Sequence, residues 1–439
     1  MSRRPWYPRT SALSVSMDND VSRLEKVFTV AALLFFTGAF LRSLNGMYDP
    51  DSGASTGSLL ADLIWAFIYL SSALLLQMRC GGLWQSLSNL RPLFWPYSVI
   101  FLSIAWSDAP KISFVRFGAL VGSTLFGLYF GSRYPLKLQL VLLGWTFGLA
   151  MFLSAIFSLF FPDYSIGTGP FEGMWLGIYQ QKNILGDSMS IAFIVFLSLA
   201  YCFPAKRWFF WTMACGAVAL IVLANAAASL VECILMCWFF LFLARMQPSD
   251  KPRRASAILL AVTGVPLLLS PFIFYDQIVA ALGRDPELTG RVVLWGLIAQ
   301  YISLRPFLGY GYFAFWRGVD GPLGDIWFMG ANSAHDGLLA IWLDLGLLGL
   351  IAFLAGFLIC VRRAFYFLKR SRNREDIWPI LFFSWTFLAN LTSITYLLPN
   401  KAAWMMFVAA AAALCGREVA QTQAEKTDAS GLVASAVGS

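Results

Sequence analysis

The chain contains a single histidine, His335, and it closes a stretch that also holds Arg284, Arg291, Arg305 and Arg317. Histidine is the side chain whose unperturbed pKa lies near neutral pH, so His335 can act as a general base on an attacking hydroxyl. Arginine stays charged and presents a planar fork of N–H donors, suited to a phosphate or to negative charge growing on a leaving group. Lys182 and Asn183 form a second polar pair, just ahead of an apolar run. Each of these residues also has a plainer reading. A histidine before a helix can be a polar cap, Arg291 can snorkel from an interfacial helix, and Lys182 and Asn183 can cap a helix and meet lipid headgroups.

Metal and disulfide chemistry are disfavoured by the residue inventory. The seven cysteines, Cys80, Cys202, Cys215, Cys233, Cys237, Cys360 and Cys415, fall within or at the ends of apolar runs, not in loops where oxidation would pair them. Cys233 and Cys237 share a helical face at i, i+4, but no second soft ligand type accompanies them, so small packing residues are the better reading. No clustered carboxylates stand beside the arginines in the pattern that magnesium favours. No cofactor is expected.

The elements that position these residues are set by composition. Of the residues, 59% are hydrophobic and 13% charged, and the mean hydropathy is +0.68, whereas soluble domains carry roughly a quarter charged residues. Apolar runs long enough to cross a bilayer as helices fall at about 27–44, 58–78, 92–106, 113–131, 136–161, 184–203, 207–224, 228–246, 256–275, 337–361, 377–396 and 401–416. The predicted fold is therefore an all-α polytopic membrane protein of about 12 spans. The third run, with Pro92 and Pro96, and the tight pair meeting at Asn225 to Ser229 are its weakest members.

Charge gives the spans a direction. Lys and Arg accumulate in alternate connections: Arg3, Arg4, Arg9, Arg23 and Lys26; Arg79 and Arg91; Arg133 and Lys137; Lys206 and Arg207; Arg245 to Arg254; and Arg362 to Arg374. Such loops stay cytoplasmic, which predicts both termini inside and accounts for most of the net charge of +8. Nucleic acid is not expected as a partner, because no basic stripe interleaved with aromatics lies in a soluble segment. The organisation predicted is a cytoplasmic tail at 1–26, spans one to nine within 27–275, an outer loop at 276–336, three further spans within 337–416 and a second tail at 417–439.

That outer loop is far longer than its neighbours, and long connections in compact proteins tend to be functional. It carries the four arginines, Gly309, Gly311, Gly318 and Gly321, many aromatics and, near its end, His335. Thr289 can cap a helix starting near Gly290, and Val292, Val293, Trp295, Leu297, Ile298, Tyr301 and Ile302 give that helix a broad apolar surface for the membrane interface.

Several runs in and around this loop are recognisable: Gly290-Arg291-Val-Val-Leu-Trp295, then Arg305-Pro306-Phe-Leu-Gly309-Tyr-Gly311-Tyr-Phe-Ala-Phe315-Trp316, Ser333-Ala-His335-Asp336-Gly337 and Leu343-Asp344-Leu-Gly346-Leu-Leu-Gly349. In this order they resemble the O-antigen ligase and polymerase superfamily (Wzy/WaaL-like), most closely its ExoQ-like branch of exopolysaccharide-production proteins. Gly177-Ile-Tyr-Gln-Gln181-Lys182-Asn183-Ile-Leu-Gly186 is similar to the Lys-Asn-x-x-Gly segment of the same superfamily, and the resemblance covers roughly residues 100 to 400.

The resemblance implies a helical (GT-C-like), metal-independent glycosyltransferase of a bacterial inner membrane, acting at its periplasmic face on glycans carried by undecaprenyl diphosphate. By motif position it implies Arg291 on the lipid diphosphate and His335 on the acceptor hydroxyl. Arg305 is added from charge and position, and Lys182 and Asn183 as donor contacts. A growing polysaccharide, membrane lipid and other polysaccharide-assembly membrane proteins are the expected partners. Three departures stand out: Leu223 to Leu230 lacks the usual basic residue, Asp336 follows His335 where asparagine is usual, and Gln181 stands where histidine is common. A repeat-unit polymerase is the leading expectation, with a ligase, or in another class a lipid-linked glycan flippase, as alternatives. For a flippase one expects midplane charges and an internal repeat; intramembrane Glu232 and Arg116 are expected to face the bundle interior.

Overall fold

The computed structural model describes residues 22–45, 58–82, 86–248, 262, 264, 291–317, 321 and 333–437. Its helices of ten or more residues are α1 (Arg23–Phe36), α2 (Leu59–Arg79), α3 (Phe94–Ser103), α4 (Pro110–Arg133), α5 (Leu136–Phe160), α6 (Lys182–Cys202), α7 (Arg207–Leu223), α8 (Ala227–Met246), α9 (Arg291–Leu304), α10 (Gly337–Arg370), α11 (Ile377–Ala389) and α12 (Ala402–Val437). Among the described residues, β-structure is confined to one isolated bridge, Ile166 with Trp175.

α2 shows why lipid is the solvent. Its buried positions Ala61, Trp65, Ile68, Ser72 and Leu76 form one helical stripe, and Leu59, Leu63, Phe67, Leu70, Leu74 and Met78 form a second, outward-facing stripe that is equally apolar. In water the second face would be polar. α6 is the central helix, with a buried run from Ser188 to Ala200. Close helix approach uses small residues: a Cβ on Gly127 would meet the Met405 carbonyl oxygen of α12 at 2.6 Å, and one on Gly131, a turn later, would run into the Ala409 backbone.

The protein is all-helical and polytopic, with eight helices among the described residues long and apolar enough to cross a membrane: α2, α4, α5, α6, α7 with its leading turn, α8, α10 and the first half of α12. Three of the other predicted spans take the form of shorter helices. The chain turns at Gly38 after the 14 residues of α1, α3 has ten residues after a 3-10 turn containing Pro92, and α11 has 13 before the turn at 390–401. The predicted span at 256–275 lies outside the described residues except for positions 262 and 264. The pair meeting near Asn225 is two separate helices joined by a tight turn, with Asn225 at φ 48°.

The two ends of the bundle differ chemically. At one end Arg133 Nε donates to Glu25 at 2.9 Å, Arg374 to the Tyr201 carbonyl at 2.8 Å, Arg363 pairs with Glu418 at 2.7 Å and Arg417 with Asp376. The opposite end gathers the turns after α1, α5, α7 and α11 and the described parts of the long loop, tied together by Phe40 N–H to Ile178 O at 2.9 Å, Trp175 N–H to Leu223 O at 3.1 Å and Gly337 N–H to Asn390 O at 2.9 Å.

Candidate functional site

His335 immediately precedes the cap of α10. Asp336 is the cap, its side chain accepting from Leu339 N–H at 2.8 Å. Burial pushes the Asp336 carboxyl above the usual carboxylate range, against the pull of the Leu339 and Leu338 N–H groups. His335 is half-buried and holds a left-handed backbone, φ 50°. Its neighbours fix that turn from both sides: Trp295 Nε1 of α9 donates to Ala334 O at 2.9 Å, and Asn390 O takes the Gly337 N–H. Arg291 is the first residue of α9, four residues before Trp295.

The loop has a core of its own. Leu294, Ile298 and Ile302 of α9 pack with Tyr310, Phe315, Ala334 and Leu343, so α9, the Gly-Tyr-Gly-Tyr run and the first turns of α10 form one body. Tyr310 donates to Tyr301 O at 3.1 Å; burial raises its phenol pKa while the Arg305 charge lowers it, and burial prevails.

α10 is broken where the loop crosses it. Gly346 has φ 67° and ψ −172° inside the helix, and the freed backbone groups bond to the loop: Tyr310 N–H to Leu343 O at 3.0 Å, Gly311 N–H to Asp344 O at 2.8 Å, Leu347 N–H to Pro306 O at 2.8 Å and Leu348 N–H to Phe307 O at 3.2 Å. Asp344 adds an acceptor for Phe313 N–H at 3.0 Å. Gly309 and Gly346 are glycines for a reason: both have positive φ, and a Cβ on Gly309 would lie 2.6 Å from the Asp344 backbone while one on Gly346 would overlap Phe307.

Arg305 stands at the rim of the loop. It pairs with Asp108 at 2.6 Å and lies over the Tyr310 ring at 4.6 Å, while Trp106 Nε1 bonds Leu308 O at 2.9 Å. This places Arg305 as a rim tie between the α3–α4 turn and the loop. Arg116 departs from its expected interior position: it is exposed and lies over the Phe313 ring at 5.3 Å. Glu232 is buried as expected, accepting from Trp385 Nε1 at 3.0 Å.

Lys182 is buried at the start of α6, donating to Asn225 O at 3.3 Å and facing the Phe171 ring at 5.6 Å; Asn183 beside it is exposed. One turn deeper stands Asp187, which sequence reasoning did not single out. It accepts from Ser229 at 3.3 Å and Ser393 at 3.2 Å, and with Lys401 it lines a cavity under the 390–401 turn. Burial draws the Lys401 ammonium below the usual lysine range, and the Asp187 charge opposes that. A carboxylate inside an apolar run was the available signal for Asp187; Lys401 and Asn390 had no local signal.

Residues 208–354 match the Wzy_C family, described as O-antigen ligase. The chain carries an O-antigen ligase family domain. That domain runs from α7 into α10 and contains Asn225, Arg291, Arg305 and His335, with Lys182 and Asn183 ahead of it. The chain is also distantly related to "Exopolysaccharide production protein ExoQ" of Rhizobium meliloti (strain 1021), at 24% identity over 319 residues, covering 67% of this chain and 70% of the relative. The O-antigen ligase domain thus supplies the loop body and the α10 break, and α6, α11 and α12 complete the end of the bundle around it.

Proposed function

We propose that the chain is a membrane glycosyltransferase of the polymerase type, joining oligosaccharide repeat units carried on undecaprenyl diphosphate at the periplasmic face of a bacterial inner membrane. The observation that carries the reading is the Trp295–Ala334 bond. It holds the start of the Arg291 helix against the turn bearing His335, at the bundle end opposite the cluster of basic residues. The positive-inside rule favours a cytoplasmic side for that cluster, which supports a loop and a lipid-linked substrate outside.

In the reaction proposed, a sugar hydroxyl of the acceptor loses its proton to His335 as its oxygen bonds to the anomeric carbon of the donor. The bond between that carbon and the diphosphate oxygen breaks, and the electron pair leaves with the diphosphate. The Arg291 guanidinium offsets the charge that develops there. Lys182, at the neighbouring helix start, supplies a second cation near the same end. Arg305 serves this scheme by fixing the loop through Asp108 rather than by touching phosphate.

The family description and the resemblance to an exopolysaccharide production protein separate two outcomes of the same chemistry. Deleting the gene and analysing the glycan tests them. Accumulation of single lipid-linked repeat units is the expected result; long chains left unattached to their acceptor would instead assign a ligase.

A further inference from the structure

α4 carries a cation at a depth where water is scarce. Its 24 residues run from Pro110 at the loop end to Arg133 at the opposite end, a length of about 36 Å against a hydrocarbon layer of about 30 Å. Arg116 lies about 9 Å below Pro110 at about 1.5 Å per residue, inside the edge of that layer. The surface around it faces lipid: Phe114 and Val115 of α4 and Phe101 and Leu102 of α3 are exposed and apolar. Arg116 is itself exposed. Among the described residues no carboxylate, hydroxyl or carbonyl bonds to it, and its guanidinium lies over the Phe313 ring at 5.3 Å. An unpaired cation at the edge of hydrocarbon is costly, and it is retained where it meets an anion.

The ring beneath the guanidinium is fixed. Phe313 N–H donates to Asp344, beside the break in α10, at 3.0 Å, its backbone is left-handed at φ 57°, and its ring stands edge-on to Tyr312 at 4.8 Å. Tyr312 is anchored in turn, donating to Leu397 O at 2.5 Å while its own carbonyl accepts from Ser113 at 2.7 Å. A ring against one face of a guanidinium leaves the in-plane N–H donors free, and that planar fork matches phosphate oxygens. Side chains on a helix lean towards its N-terminus, so Arg116 reaches for the loop end, where the lipid phosphates of that leaflet lie. Lys111, nearer that end and also exposed, adds positive potential. Of the carboxylates on the flanking elements, Asp108 pairs with Arg305 and Asp344 accepts from Phe313 N–H.

We propose that Arg116, seated on Phe313, binds the phosphate of a membrane lipid at the loop end of the bundle, reached sideways from the bilayer. Two kinds of lipid carry that chemistry, a phospholipid through its headgroup and a polyprenyl diphosphate through its carrier end. Binding is read without turnover, so failure of the seat and failure of the transfer reaction are separate results. Full-length protein stripped of lipid in dodecyl maltoside is titrated with phosphatidylglycerol, with undecaprenyl diphosphate and with undecaprenol, which has the chain and no phosphate, and native mass spectrometry reads the first molecule bound. The wild type should bind at least one of the two phosphate lipids. Arg116→Gln should weaken that binding at least about tenfold, the scale of a lost charge-assisted bond, and leave undecaprenol unchanged. Phe313→Leu, which removes the ring and keeps the charge, should weaken it by a smaller factor. A loss confined to undecaprenyl diphosphate assigns the seat to the carrier, one confined to phosphatidylglycerol assigns it to headgroups, and a shared loss assigns it to lipid phosphate of either kind. No binding of either lipid by the wild type, wild-type affinity in Arg116→Gln, or an equal loss for undecaprenol overturns the seat. Should Arg116→Gln fail to fold, Arg116→Met, which keeps an aliphatic stem against the ring, decides the same way.

Discussion

At the residue scale, the central feature is a histidine held in a backbone conformation that side chains other than glycine rarely adopt. A left-handed non-glycine residue costs on the order of 1–3 kcal/mol and persists only when its surroundings hold it. Here they do so through the Asp336 cap, the Trp295 bond to Ala334 and the Asn390 bond to Gly337. Asp336→Ala should therefore destabilise the protein by about 0.5–2 kcal/mol and lower polymer yield, whereas Asp336→Asn, which still caps, should keep both near wild type. Thermal unfolding in detergent and glycan analysis check this. Because burial raises the Asp336 carboxyl on folding, the folded state holds that proton more tightly than the unfolded chain does. Stability from this group is then greatest below about pH 4 and falls as pH rises through the folded value, a slope that Asp336→Asn removes. His335 could be singled out because it is the one histidine of the chain, and Arg291 because it sits in an ordered series of motifs. The Arg305–Asp108 pair was not legible, because the two residues lie 197 positions apart and no local pattern joins them.

The decisive element is α10. Its sequence reads as one continuous apolar span, and although Leu343 to Gly349 is one of the recognisable runs, nothing local marks Gly346 as a break. The break there is legible only in three dimensions, since it exists to exchange hydrogen bonds with residues 306–311. Gly346→Ala adds a Cβ that overlaps the Phe307 backbone and asks alanine to hold φ 67°. The conformational strain alone is about 1–3 kcal/mol, so the variant should release the loop from the helix. Faster trypsin cleavage at Arg317 in spheroplasts or permeabilised membranes is the expected readout, and cleavage at the wild-type rate would show that the stitched break does not hold the loop.

For the whole molecule, apolar run length and the alternation of basic loops read out the helical class and eight of the spans, because lipid imposes both patterns on sequence directly. The shorter helices α1, α3 and α11 were over-extended by the same rule, which registers apolar composition and not where Gly38, the 3-10 turn at Pro92 or the 390–401 turn interrupts the rod. Asp187, Asn390 and Lys401 come from α6, the end of α11 and the threshold of α12, and only the packed bundle brings them beside the His335 turn. Architecture and chemistry meet in the claim that one end of this bundle transfers glycan using a base and a cation from the loop. The most direct measurement is polymer formation by His335→Ala and Arg291→Ala proteins that are inserted at wild-type levels. Loss of a general base predicts a drop of about 10²–10⁴-fold, and loss of a leaving-group donor one of about 10²–10³-fold. Wild-type polymer from both variants would contradict the account.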